Sequence, residues 1–104
     1  MEPQALQSLL EELDRIDRRA FQMAKELLDA PRPPPEIPQE AATLARRLSE
    51  IADELKASAP EARRQRAPQI SEATMDLDHV CGRTRFTSLR IGRRMRDRQQ
   101  RGQA

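Results

Sequence analysis

The chain has 104 residues, 35% charged and 37% hydrophobic, with two Phe, no Tyr, no Trp and three Gly. Leu, Ile, Val and Phe make up only about 18% of it, close to the range of disordered chains, but a formal net charge of +2 lacks the high net charge of that class. The length allows one domain at most, the few β-branched and aromatic residues argue against a sheet-based core, and so little apolar volume is poorly suited to walling off a catalytic pocket.

These bounds predict an all-α protein, a small three-helix bundle over residues 1–104. A single cysteine, Cys81, cannot form an intramolecular disulfide, and Met1-Glu-Pro-Gln lacks the basic and apolar stretches of a signal peptide. No apolar run is long enough to span a membrane, so the cytoplasm is the expected compartment.

The first predicted helix covers residues 3–29. Leu6, Leu9, Leu13, Ile16, Ala20, Met23 and Leu27 follow an unbroken 3-4 spacing, and Pro3 suits a first turn, where its missing N–H costs nothing. Leu10, Phe21, Ala24 and Leu28 widen the apolar face to roughly 160°, more than a two-stranded seam needs. Leu10, Phe21 and Leu28 are therefore candidate contacts to a partner or a second copy of the chain.

Residues 30–38 carry five prolines in nine positions and read as a stiff extended connector, about 25 Å long at full stretch. Two P-x-x-P spacings within it resemble SH3-type ligands, although such spacings are common by chance. A second helix is expected over 39–57, with a narrow, alanine-rich face of Ala41, Leu44, Leu48, Ile51 and Leu55. Ser58-Ala-Pro-Glu61 has the form of a capping box and opens a capped turn over 58–68, where Arg63, Arg64 and Arg66 cluster.

A third helix is expected over 69–98, with a basic tail to 104. Ile70, Ala73, Leu77, Val80, Cys81 and Thr84 form its face, and Ile91 and Met95 continue it in phase. Phe86 and Leu89 fall off this stripe, so either the helix bends near Gly82 or these two side chains meet something outside the monomer.

Charge is strongly segregated. Residues 1–59 carry eight basic and twelve acidic side chains; residues 60–104 carry eleven and five. The candidate nucleic-acid contacts are Arg83, Arg85, Arg90, Arg93, Arg94, Arg96, Arg98 and Arg101, opposed in residues 82–104 by Asp97 alone. Guanidinium groups bind phosphate oxygens in bidentate fashion, and a row of them gains by counterion release. The bland alternative is a solvated face, and an excess of Arg over Lys (seventeen to two) is also what a GC-rich gene produces. With no Tyr or Trp to stack on bases, the expected contact is to the nucleic-acid backbone, with weak sequence preference. Ile91 and Met95 give too small an apolar face for a membrane-surface helix.

Asp76 and His79 have the spacing of a metal half-site, with Glu72 one turn earlier. On a helical wheel all three fall opposite the apolar face, so a solvated stripe is expected there, with no metal and no cofactor. Cys81 reads as a small core residue with no base beside it. The leading expectation is a non-enzymatic accessory subunit that binds nucleic acid and self-associates, with no small-molecule substrate. The other is a helical protein–protein adaptor or chaperone-like subunit without a nucleic-acid role, supported by the wide first helix, by Phe86 and Leu89, and by the charge asymmetry.

Overall fold

A computed structural model describes residues 1–29 and 33–82, and for Leu28 and Asp29 the backbone alone. It is an all-α bundle of α1 (Pro3–Asp29), α2 (Glu36–Ser58), α3 (Pro60–Gln65) and α4 (Ala67–Val80), with no strand among the described residues. The three long helices run up, down and up. α2 returns antiparallel to α1, and α4 lies parallel to α1, packing against it more extensively than α2 does.

The periodic apolar residues are the ones that become buried. Leu9, Leu13, Ile16, Ala20 and Met23 of α1 meet Ala41, Leu48, Ile51 and Leu55 of α2 and Ile70, Ala73, Leu77 and Val80 of α4. Ala24, one of the residues that widen the face of α1, is fully buried as well. Leu10 and Phe21 are half-buried and pack against the same core. Among the described side chains, the wide face of α1 is thus packed on within the chain by both α2 and α4; the side chain of Leu28 lies outside them. Among the described residues, Met1 and Met75 are the large hydrophobics left exposed.

Three local expectations give way to backbone chemistry. The extended connector ends earlier than its prolines suggest, because α2 begins at Glu36 with Pro35 as its N-cap and Pro38 as its third residue. The first turn of a helix has no use for its own N–H groups, so Pro38 fits there without loss. The second P-x-x-P spacing, Pro35 to Pro38, is therefore helical and does not have the polyproline form that an SH3-type groove reads.

The capping box does not form. Ser58 is the last residue of α2, and the N-cap of α3 is Ala59, with no side-chain cap bond. The residue before a proline is pushed away from helical geometry, and Ala59, preceding Pro60, has φ −149° and ψ 65°. Its N–H still closes α2 on the Leu55 carbonyl at 2.7 Å, and its own carbonyl accepts from Arg63 at 3.0 Å, so the break costs little hydrogen bonding.

The third helix also starts earlier than expected, at Ala67, because Pro68 again falls within a first turn. α4 then ends at Val80. Gly82, at φ +79°, donates its N–H to the His79 carbonyl at 2.9 Å, and Cys81 donates to Leu77 at 3.0 Å. Gly82 thus takes the left-handed position that commonly closes a helix just past its last turn. The remainder of the expected third helix, from Arg83 onward, lies outside the described residues.

Core and surface substitutions should separate cleanly in thermal melts followed by circular dichroism. Leu13→Ala is expected to cost about 2–5 kcal/mol and Met75→Ala less than about 0.5 kcal/mol. Ser58→Ala should be nearly neutral; a loss of about 1 kcal/mol there would mean that Ser58 does cap α3.

Candidate functional site

The eight arginines singled out in the sequence, Arg83 to Arg101, lie outside the described residues, as do Phe86 and Leu89. What the structure defines is the body to which this segment is attached. Residues 1–82 carry eleven basic against sixteen acidic side chains, and residues 83–104 carry eight arginines against Asp97. The Arg-rich segment thus leaves an acidic bundle at Gly82.

Several arginines of the bundle are matched to carboxylates. Arg47 grips Glu12 with Nε at 2.6 Å and Nη2 at 2.7 Å, and also reaches Glu50 at 3.3 Å. Arg19 holds Glu40 with Nε at 2.6 Å and Nη2 at 3.0 Å. From one pair to the other the chain advances seven residues along α1 and retreats seven along α2, two turns in each, as an antiparallel pair in register requires. These forked pairs strap α1 to α2 across a shallow groove of about 300 Å³, which has Ile16 and Leu44 in its walls and Arg15 at its rim.

The Arg63, Arg64 and Arg66 cluster is divided by the fold. Arg64 pairs with Glu61 one turn away at 2.7 Å, on an exposed surface where such a pair contributes little. Arg66, at the joint between α3 and α4, bonds both Asp14 at 2.7 Å and Gln69 at 2.8 Å. Gln69 in turn donates to Asp14 at 2.8 Å and Asp17 at 3.3 Å. This network fixes the start of α4 against α1.

The pairs shift the titration of their carboxylates. Hydrogen bonding from Arg47 holds Glu12 below the usual glutamate value, against an opposing push from burial. The hydrogen bond from Arg19 does the same for Glu40. Burial would raise Asp14, but the bonds from Gln69 and Arg66 outweigh it and the group is lowered. Arg47 and Arg19 are raised correspondingly, first through their hydrogen bonds to Glu12 and Glu40.

One expectation about α4 is corrected. Asp76 does not belong to a solvated stripe: it is fully buried, at 0% exposure, while Glu72 and His79 are half-buried. α4 packs against both α1 and α2, and between them Asp76 loses its exposed surface although the wheel sets it away from the apolar face. Among the described residues no three His, Cys, Asp or Glu side chains gather in a group able to hold a metal ion. No described helix is long and apolar enough to cross a membrane.

A second cavity, of about 410 Å³, opens at the end of the bundle where α1 and α4 finish and α2 begins. Leu27, Pro33, Pro38 and Val80 wall it, and His79, Cys81 and Gly82 stand at its α4 edge. Cys81 is half-buried, and its Sγ lies 3.8 Å from the Pro38 carbonyl it donates to, tying α4 to the start of α2. Sequence reasoning placed Cys81 on the apolar face but did not find this cavity, which brings the end of α4 against residues some forty to fifty-five positions earlier in the chain.

No protein-family model matches this chain, and no curated protein or solved structure matches it either.

The lowered carboxylates carry a pH dependence. A group whose folded pKa lies below its unfolded value stabilises the fold above the unfolded value, and that stability is lost as pH falls through the folded one. The melting temperature should therefore fall as pH drops below about 4, and Glu12→Gln with Glu40→Gln should flatten the fall. A pH profile that is the same in this double variant and the wild type would remove these pairs from the account.

Proposed function

We propose that the protein is a non-enzymatic accessory subunit that holds nucleic-acid backbone through Arg83, Arg85, Arg90, Arg93, Arg94, Arg96, Arg98 and Arg101, within a nucleoprotein assembly. The observation that carries this reading is the separation of charge about Gly82. The bundle before it has an excess of five acidic residues, and the segment after it an excess of seven basic ones. Arg19, Arg47, Arg64 and Arg66 of the bundle are engaged with carboxylates at 2.6–2.7 Å and serve cohesion between or within helices. The C-terminal arginines face one acidic residue in their own segment, so a polyanion is their natural complement.

The adaptor reading loses part of its support. Much of the wide face of α1 is taken up by α2 and α4, and Leu10 and Phe21, half-buried, pack against the same core, so the width of that face argues less for a partner. The bundle instead supplies a folded anchor whose acidic surface repels phosphate, confining contact to one end of the chain. Such an arrangement binds without reading bases, since backbone contacts position but do not specify.

The test is binding of mixed-sequence DNA and RNA by fluorescence anisotropy across a salt series. Affinity is expected to fall with a log–log slope of about −3 to −6, and Arg90→Glu with Arg94→Glu should weaken binding while leaving the melting temperature unchanged. Undetectable or salt-independent binding, together with a stable oligomer or protein complex that ignores nucleic acid in sedimentation, would replace this reading with the adaptor.

A further inference from the structure

The cavity at the end of the bundle lies beside Gly82, at the point where the described chain stops and the Arg-rich segment starts. Leu27, Val80 and the rings of Pro33 and Pro38 supply the larger, apolar part of its lining, with His79 and Cys81 beside them, so an apolar occupant would meet mostly carbon. We propose that this occupant belongs to the same chain: Phe86 and Leu89 seat in the cavity and fasten the root of the Arg-rich segment to the bundle.

Three observations carry the proposal. Gly82 takes a left-handed conformation, φ +79°, which does not continue the α4 helix, and among the described residues nothing lies within 4 Å of where its Cβ would stand. Gly82, with Val80 and Cys81 of the last helical turn, itself lines the cavity, so the Arg-rich segment departs from the cavity's edge. Second, Phe86 and Leu89 are the sole apolar side chains between Gly82 and Arg90. Phe86 follows Gly82 by four residues, a reach of at most about 14 Å, so a seat lined by Gly82 itself lies within range. Third, both residues fall out of phase with the Ile91 and Met95 stripe, so a helix continuing straight from α4 would not bury them with it.

The seat fixes where the arginines begin. Arg83 and Arg85 would sit close to the bundle and Arg90 onward would extend from it. The inference stands apart from the nucleic-acid reading, since the docking is apolar and needs no polyanion.

Cys81 provides the test, because it is the single thiol of the chain and stands at the edge of the cavity. In the full-length protein its rate of reaction with a bulky aromatic disulfide reagent reports whether the cavity is filled. Phe86→Ser with Leu89→Ser is expected to raise that rate several-fold, and Thr87→Ala to leave it unchanged. In a second measurement, Phe86→Trp introduces the sole indole of the chain. Its emission should be blue-shifted and shielded from acrylamide, to the same degree at every protein concentration. An unchanged thiol rate in the double variant, or a solvent-exposed indole, overturns the proposal. Protection that disappears on dilution also overturns it, by assigning the cavity to a second copy of the chain.

Discussion

The fold depends on α1 being covered from two sides at once. Its apolar face is too wide for a single neighbour, and α2 and α4 divide it between them, leaving Leu13, Ala20, Met23 and Ala24 without exposed surface. Fully buried alanines on all three helices, Ala20, Ala24, Ala41 and Ala73, let the backbones approach closely. A chain poor in large apolar residues can therefore still close a core. Neither α2 nor α4 could replace the other, since each covers a different flank of α1. The three long helices should thus form or fail together, as a small cooperative domain does.

Around this core the polar groups set register rather than supply bulk stability. The two Arg–Glu forks between α1 and α2 are partly exposed, a setting in which ion pairs contribute modestly. Their seven-residue offset is more informative, because it is satisfied in one antiparallel register. The Arg66, Asp14 and Gln69 network does the same for α4, at the point where Pro68 forces a new helix start. The prolines act as punctuation throughout: Pro35 and Pro38 open α2, Pro60 separates α3 from α2, and Pro68 lies in the first turn of α4.

The helical class and the buried faces were legible because both follow from a periodicity of 3.6, which the positions of Leu, Ile and Ala record directly. Helix boundaries were less so. Ser58 and Glu61 matched a capping pattern, yet Pro60 decided the geometry by pushing Ala59 out of the helical region. Pro38 looked like connector although a first-turn position suited it equally. Asp76 was misplaced for a different reason. A helical wheel marks the centre of a face well, but whether positions away from it are solvated depends on how the neighbouring helices arrive, and no single helix encodes that. The cavity beside Cys81 was illegible on similar grounds, being built from three chain segments. The charge separation about Gly82 needed no structure to be seen. The fold adds that α4 ends at Val80, two residues before Gly82, so the electrostatic boundary falls at the helix terminus.

The central claim is a division of labour, with cohesion in the bundle and polyanion contact in the segment that follows Gly82. Backbone amide chemical shifts of the full chain, recorded with and without mixed-sequence nucleic acid, test it most directly. The account predicts perturbations concentrated in residues 83–104, fading into the last turn of α4, with α1 and α2 unmoved. Perturbations spread along the α1–α2 groove at Arg15, Arg19 and Arg47, with the C-terminal segment unaffected, would contradict it.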